Sequence, residues 1–170
     1  MIDPAERDLF ALLNRNNYDK GAWVLHMLRG LVGDSTFFDG LRRYYRAHAN
    51  GNALTSDLQH ALEAASGRDL GWFFHQWLDE PGYPRIRLAW RWLAAEGAAE
   101  ITVQQVQPAA WPTFRFPLVL QLTTPRGPLR REVAVSQRQE TFRVRLPAAP
   151  SAVVADPDAA LLLVTEPPAR

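Results

Sequence analysis

The chain has 170 residues, no cysteine, and 19 basic against 18 acidic side chains, which leaves a net charge of +1. A charge this small creates no attractive field for nucleic acid or for an anionic membrane surface. Without cysteine there is no disulfide, no thiolate metal ligand and no cysteine nucleophile. No apolar run approaches the roughly 18 residues that a membrane-spanning helix requires. We therefore expect no nucleic-acid partner and no membrane span, and the composition does not distinguish periplasm from cytoplasm.

Proline divides the chain into two parts. None occurs between Ala5 and Glu80, whereas twelve of the 13 prolines lie from Pro81 onward. Proline is excluded from helix interiors and from central strands but is tolerated at strand ends and sheet edges. The expected fold class is therefore α+β, with a helical domain at residues 1–82 and a β-sandwich domain at residues 83–170.

The first part carries the end signals of four helices. A polar residue that accepts a hydrogen bond from the first free N–H groups marks a start, and a glycine after the last apolar position marks an end. The expected caps are Asn16 or Asn17 for the first helix and Asp69 for the fourth, and the expected stops are Gly33 and Gly67. Asp34 or Ser35 is expected to begin the second helix, and Thr55 or Ser56 the third. A further helical piece is expected at about residues 4–13. The apolar faces are predicted to include Leu25, Phe38 and Tyr45.

The second part alternates apolar and polar residues with a period of two, which is typical of half-buried strands. Seven strands are expected, at about residues 85–92, 100–106, 114–122, 129–136, 140–146, 152–155 and 161–165. Pro112 and Pro117 favour an edge or a bulge in the third strand. Seven short strands predict an antiparallel immunoglobulin-like sandwich, with Trp90 and Trp92 packed in its core.

Two histidine–carboxylate pairs are candidate metal ligands. His60 with Glu63 and His75 with Asp79 can each share a helix face. A hydrolytic zinc site usually takes three protein ligands, and neither pair has a third ligand in sequence. Both are therefore interpreted as ordinary surface pairs, and Asp156-Pro157-Asp158 as a turn rather than a calcium site.

Residues 16–34 differ from this background, because a tyrosine followed by Asp-Lys-Gly opens a helix and includes the only lysine. Tyr18 at the positive end of the helix dipole is a plausible donor to an oxyanion. Alternatively, Tyr18 is an interfacial aromatic and Lys20 a solvated charge. On the residues alone the second interpretation is favoured.

An ordered series of short motifs across the first part resembles one family. The motifs are Tyr18-Asp19-Lys20-Gly21-Ala22, Gly33-Asp34, Phe37-Phe38, Ser66-Gly67-Arg68-Asp69-Leu70, Gln76-Trp77-Leu78 and Gly82-Tyr83-Pro84. The series resembles peptidase family M1, the gluzincin zinc aminopeptidases, of the membrane alanyl aminopeptidase type. The resemblance implies that Tyr18 is catalytic and donates a hydrogen bond to the tetrahedral intermediate formed on zinc. It also implies zinc and a peptide substrate in the intact enzyme.

The family's zinc-binding His-Glu-x-x-His helix and its Gly-x-Met-Glu-Asn strand lie upstream of this tyrosine, and neither motif occurs in the 17 residues before Tyr18. The expectation is therefore a carboxy-terminal portion of such an enzyme. Its helical domain would complete a gluzincin catalytic domain, with the upstream catalytic segment as its partner. Alone, it is expected to bind no metal or cofactor and to be inactive. Two alternatives remain open, a non-catalytic scaffold of the same fold and a sandwich that binds carbohydrate or a partner.

Overall fold

The computed structural model describes residues 15–167, with side chains from Tyr18 onward. The chain forms two compact units, residues 1–81 and 82–170. The helical piece expected at residues 4–13 lies outside the described residues. Within them, the chain is a mixture of helices and two β-sheets, so the α+β class is confirmed.

The helical unit begins its described part with α1, and its elements end close to the predicted signals. The bounds are α1 Arg15–Val32, α2 Asp34–His48, α3 Thr55–Ser66 and α4 Gly71–Phe74, and α4 continues into a π-helical turn, His75–Asp79. Gly33 and Gly67 follow α1 and α3 with positive φ angles of 84° and 66°. The Asp69 carboxylate accepts the Gly71 N–H at 2.9 Å, as a cap would. Since α1 already includes Arg15, neither Asn16 nor Asn17 is its N-cap, so that expectation is wrong.

The core of this unit is apolar and largely aromatic. It contains Val24, Met27, Leu28, Phe37, Leu62, Leu70, Phe73, Phe74 and Trp77. Three positions expected on the apolar faces are exposed instead, namely Leu25, Phe38 and Tyr45. Each lies next to the buried stripe of its helix, and a step of one residue turns a side chain by about 100°. When the apolar stripe of a helix is wide, the residues at its border therefore remain exposed to solvent.

Helices α2 and α3 make their closest approach at Gly40. A β-carbon placed on Gly40 would lie 2.6 Å from Leu62 Cδ2 and 3.2 Å from Leu62 Cα. Leu62 is fully buried, so its side chain has little room to move away. The absence of a side chain at Gly40 is what allows the two helices to pack.

Two glycine-to-alanine substitutions should therefore have opposite effects on stability. Gly40→Ala should lower the free energy of unfolding by about 1–3 kcal/mol, because overpacking outweighs the gain in helix propensity. Gly30→Ala, on the exposed side of α1 with nothing within 4 Å of its added methyl group, should raise it by up to ~1 kcal/mol. Urea unfolding of the two variants checks this, and equal effects would contradict the close packing.

The β unit contains seven strands in two sheets within the described residues. They are β1 Arg85–Leu93, β2 Ala98–Gln105, β3 Phe116–Thr124, β4 Gly127–Val135, β5 Gln139–Arg145, β6 Ala152–Ala155 and β7 Val164–Glu166. One sheet has the order β5-β2-β1-β7 and the other β4-β3-β6. Each sheet has a buried face, formed in β3 by Phe116, Leu118, Leu120 and Leu122.

The expectation of a wholly antiparallel sandwich is wrong for β7, which pairs in parallel with β1. The segment after β6 turns at Asp156, whose carboxylate accepts the N–H groups of Ala160 and Leu161 at 2.9 and 3.0 Å. β7 then pairs with β1 in parallel register, and the Val164 N–H donates to Pro84 O. The predicted turn at Asp156 is confirmed.

Pro117 lies in β3, the central strand of its sheet, but outside the part of β3 that pairs on both sides. β4 pairs with β3 from Phe116 to Thr124, whereas β6 pairs only with Leu120 to Thr123. At Pro117 the strand is locally an edge, which is where a residue without an N–H group is tolerated.

Trp90 was expected in the core, but its side chain remains 37% exposed, and Trp92 is half-buried. β7 pairs only with Arg85–Arg87, so none of the described strands borders β1 at Trp90 on that side. The core-packing expectation is therefore wrong for Trp90. The strand pattern identifies which residues share a face of the sheet, and coverage of that face by other parts of the chain determines whether they are buried.

Two buried glutamines fix the loop between β2 and β3. Gln105 accepts the Phe114 N–H at 2.9 Å and donates to Phe114 O at 2.7 Å and Gln137 O at 3.1 Å. Gln107 donates to Gln105 Oε1 and to Pro112 O, each at 2.9 Å. Every polar atom of this pair therefore finds a partner although both side chains are buried, at 3% and 4% exposure.

The loop held in this way carries Trp111, whose ring lies against Gly82. A β-carbon on Gly82 would fall 2.3 Å from two atoms of the indole. Gly82 also has a φ of +82°, which L side chains rarely adopt. Tyr83 contributes a second ring contact, with its centroid 5.5 Å from that of Trp111. The motif Gly82-Tyr83-Pro84 is therefore the packing partner of this loop.

Candidate active site

Tyr18 lies near the beginning of α1 and is 66% exposed. The interpretation of Tyr18 as an interfacial aromatic therefore receives no support from contacts within the described part of the chain. The phenol is on a side of the helix that also carries the exposed residues Ala22 and Leu25. These residues are spaced at four and three positions, which is the helical repeat.

Lys20 points to the other side of the same turn. Two residues along a helix correspond to a rotation of about 200°. The Lys20 side chain is half-buried, and its ammonium donates to the Glu80 carbonyl oxygen at 3.4 Å. Loss of solvent around the ammonium lowers the pKa of Lys20 from its usual value. The interpretation of Lys20 as a solvated charge is therefore wrong.

The carbonyl that Lys20 contacts belongs to the residue that ends the π-helical turn. Glu80 is the extended residue that caps this turn, and its carbonyl accepts the ammonium of Lys20 from outside the helix. π-helical turns are rare in proteins, and those that do occur are often found at functional sites. Sequence reasoning missed this contact, and the only available signal was that a single lysine occurs in a chain with 18 arginines.

The two histidine pairs differ in the structure. His75 Nδ1 lies 3.2 Å from Asp79 Oδ2, and His75 Nε2 lies 3.4 Å from Glu80 Oε1, with all three side chains partly exposed. His60 is exposed, whereas the Glu63 carboxylate accepts hydrogen bonds from Gln59 Nε2 and the Leu70 N–H. His75 and Asp79 form the expected surface pair, and the described contacts of Glu63 serve the packing of α3.

Among residues 15–167, no three histidine or carboxylate side chains are grouped so that they could hold a metal ion. The same residues include no helix that is both long and apolar enough to cross a membrane. The functional groups described in this part of α1 are therefore the exposed phenol of Tyr18 and, on the opposite side of the helix, the ammonium of Lys20.

Residues 4–77 match the peptidase family M1 domain. This segment belongs to peptidase family M1. The match includes the whole of α1, α2 and α3, with Tyr18 and Lys20, and it ends within the π-helical turn. The family resemblance read from the motifs is therefore confirmed for the helical unit.

The relatives of this M1 segment are aminopeptidases. Aminopeptidase N of Lactococcus lactis subsp. lactis is 45% identical over 69 residues, which are 41% of this chain and 8% of that protein. Aminopeptidase N of Lactobacillus delbrueckii subsp. lactis is 46% identical over 87 residues, 49% of this chain and 10% of the relative. Mitochondrial aminopeptidase 2 of Saccharomyces cerevisiae is 32% identical over 139 residues, 77% of this chain and 14% of the relative.

A solved structure has the same fold as this chain. Aminopeptidase A of Legionella pneumophila, crystallised in complex with aspartic acid, superposes with a TM-score of 0.81 at 15% identity. The match covers 97% of this chain and 19% of that protein. The chain thus corresponds to a minor part of the length of these aminopeptidases, as the short partial matches to the curated relatives also indicate.

Proposed function

We propose that the chain is the carboxy-terminal portion of a zinc-dependent aminopeptidase that removes residues from the amino termini of peptides. The observation that carries the proposal is the match of residues 4–77 to the M1 peptidase domain, with Tyr18 inside the matched segment. The named relatives of this segment are aminopeptidases. The substrate would therefore be a peptide with a free amino terminus.

In this proposal Tyr18 is the catalytic residue of the chain. Its phenol would donate a hydrogen bond to the oxygen that becomes negative when water attacks the scissile carbonyl. The exposure of Tyr18 supports this role, because an oxyanion donor must reach a substrate rather than pack in a core. Its place near the beginning of α1 also puts the phenol near the positive end of the helix dipole.

Zinc would come from elsewhere in the intact enzyme. The described residues do not provide a ligand set for it, so no catalytic step through a metal is assigned to them. The upstream catalytic segment would supply the ligands and the general base. That segment is accordingly the principal protein partner that the proposal requires.

We expect the 170-residue chain alone to retain no stoichiometric zinc after dialysis and to hydrolyse aminoacyl anilides no faster than a blank. The physical reason is that a catalytic zinc site needs about three fixed ligands in addition to an oxyanion donor. Elemental analysis and a chromogenic assay measure the two quantities. One zinc ion per chain, or turnover above blank that co-purifies with the folded chain, would contradict the assignment of the metal to another segment.

For the β unit we infer an immunoglobulin-like sandwich in which the two sheets pack through their buried faces. The supporting observations are the alternation of buried residues in β2, including Ile101 and Val103, and in β3, including Leu118 and Leu120. A sandwich of this kind would be a structural domain of the enzyme without catalytic residues of its own.

A non-catalytic scaffold of the same fold is the alternative. It would keep the packing residues but would have no use for an oxyanion donor, so the presence of Tyr18 favours the enzyme. The reading frame upstream of Met1 distinguishes the two proposals. A His-Glu-x-x-His sequence there supports the peptidase, and a frame that continues without it supports the scaffold.

The exposure of Trp90 gives some support to a second function, binding of carbohydrate or of a partner by the sandwich. We expect acrylamide to quench the wild-type fluorescence more than that of a Trp90→Phe variant. Trp77→Phe, which removes a ring that is 1% exposed, is the control and should not lower the quenchable fraction. If Trp90 belongs to a binding surface, oligosaccharides added to the wild type should protect it from acrylamide, and absence of protection removes carbohydrate from consideration.

A further inference from the structure

We propose that Lys20 is a positioning residue, which holds the first turns of α1 against the end of the π-helical turn and thereby sets the position of Tyr18. The proposal rests on the proposed role of Tyr18 as the oxyanion donor. It concerns a half-buried side chain on the side of α1 away from Tyr18, and it assigns a function to the only lysine of the chain.

The contact that carries the proposal joins two distant parts of the helical unit. Lys20 Nζ donates to Glu80 O at 3.4 Å, between residues that are 60 positions apart in sequence. Glu80 ends the π-helical turn, and its own N–H donates to His75 O at 3.2 Å. Glu80 therefore makes two backbone hydrogen bonds. Its N–H donates to the turn, and its carbonyl accepts the ammonium of Lys20.

The burial of Lys20 makes this contact specific. A lysine at the surface is normally solvated and rarely loses exposure unless a partner compensates for the lost water. Lys20 is half-buried, and the described partner of its ammonium is a backbone carbonyl. Because the acceptor belongs to the backbone, the contact constrains the path of the chain at Glu80 and does not depend on the side chain there.

The geometry of the helix transmits this constraint to Tyr18. The two residues are separated by a single position, so they lie on nearly opposite sides of one turn. Tyr18 is exposed on its side, whereas Lys20 is anchored on the other. An oxyanion donor must be held near its productive geometry, and Tyr18 is 66% exposed, so the position of α1 determines where its phenol lies.

The first test uses the wild-type chain and the single lysine as a spectroscopic probe. In ¹⁵N-lysine-labelled chain, the one side-chain ammonium signal should exchange its hydrogens with water more slowly in the folded protein than in the same chain unfolded in urea. Equal exchange rates would overturn the contact without any substitution being made.

The second test compares three variants of the same chain. Lys20→Met keeps the aliphatic stem and removes the ammonium, so the heteronuclear NOE of the Tyr18 and Asp19 amides should fall while that of α3 is unchanged. Lys20→Arg should restore most of the order because it returns a cationic donor. Arg126→Met, which removes an exposed cation from the turn between β3 and β4, is the matched control and should change neither region. Unchanged order of Tyr18 in Lys20→Met would overturn the proposal.

The third test separates this proposal from the proposed function, in the intact aminopeptidase. Lys20→Met should lower kcat by roughly tenfold or more with KM unchanged, and Lys20→Arg should recover most of it. Added to Tyr18→Phe, Lys20→Met should cause little further loss, because it acts through the removed phenol. A full multiplicative loss would show that Lys20 acts independently of Tyr18. Near-normal turnover of Tyr18→Phe would instead contradict the proposed function, and the exchange and NOE measurements would still decide the contact.

Discussion

Substitution of Tyr18 by phenylalanine in the intact aminopeptidase should lower kcat by roughly two orders of magnitude or more. The change removes one hydroxyl group and leaves the ring. An oxyanion donor acts on charge that develops in the transition state, so its loss reduces kcat more than it changes KM. Steady-state kinetics with an aminoacyl anilide measure both constants.

Tyr45→Phe is the matched control for this substitution. Tyr45 is also an exposed tyrosine of the helical unit, with 73% of its surface accessible, and it lies on α2. It should leave kcat and KM close to those of the parent enzyme. If both variants behave alike, Tyr18 is an ordinary surface aromatic, and the proposed catalytic role is lost.

The largest loss of stability is expected in the β unit, from Gln105→Leu. Leucine has a similar volume but leaves the N–H and carbonyl of Phe114, the Gln137 carbonyl and the Gln107 amide without the partner that Gln105 provides. A buried polar group that loses its partner costs about 1–3 kcal/mol. We therefore expect the free energy of unfolding of the β unit to fall by about 3 kcal/mol or more.

Gln104→Leu, one residue earlier, tests whether the loss is due to the buried network. Gln104 is exposed on the other face of β2, so its substitution should change stability by less than about 0.5 kcal/mol. Amide hydrogen exchange of β2 and β3 under native conditions reports the β unit separately from the helices. Comparable protection in the two variants would show that the glutamine pair is not a major source of stability.

Local patterns predicted most of the secondary structure. Gly33 and Gly67 end helices with positive φ angles, which glycine adopts without strain, and Gly67 has the left-handed conformation common just past a helix end. The alternation from Arg85 to Trp92 identified β1 almost to the residue. These signals act over a few residues, so the sequence contains them directly.

Features that depend on distant residues were not predictable in the same way. β7 comes from the far end of the chain to pair in parallel with β1, and the exposure of Trp90 depends on what covers its face of the sheet. No periodicity within β1 contains either fact. The same holds for Gly40. The reason why this position takes no side chain is apparent only from the structure, in which Leu62 lies opposite it.

The sequence identified Tyr18 as a candidate donor but not the contact of Lys20 with Glu80. The motif around Tyr18 identified the phenol as a candidate donor through the family resemblance, and that role remains a proposal. Apart from the lysine being the only one in the chain, the residues did not indicate that Lys20 points inward, because its acceptor is the carbonyl of a residue 60 positions later. A backbone acceptor leaves no trace in side-chain chemistry, so only coordinates reveal it.

The contact between Gly82 and Trp111 has a practical consequence for dividing the protein. Gly82 is the first residue of the β unit, and the Trp111 indole packs directly against its α-carbon, which carries no side chain. A preparation of the β unit that starts at Tyr83 or later would leave that ring without its contact at Gly82 and expose the loop that carries it. The β unit should therefore be prepared with Gly82 included, and an amino-terminal tag should be joined ahead of Gly82.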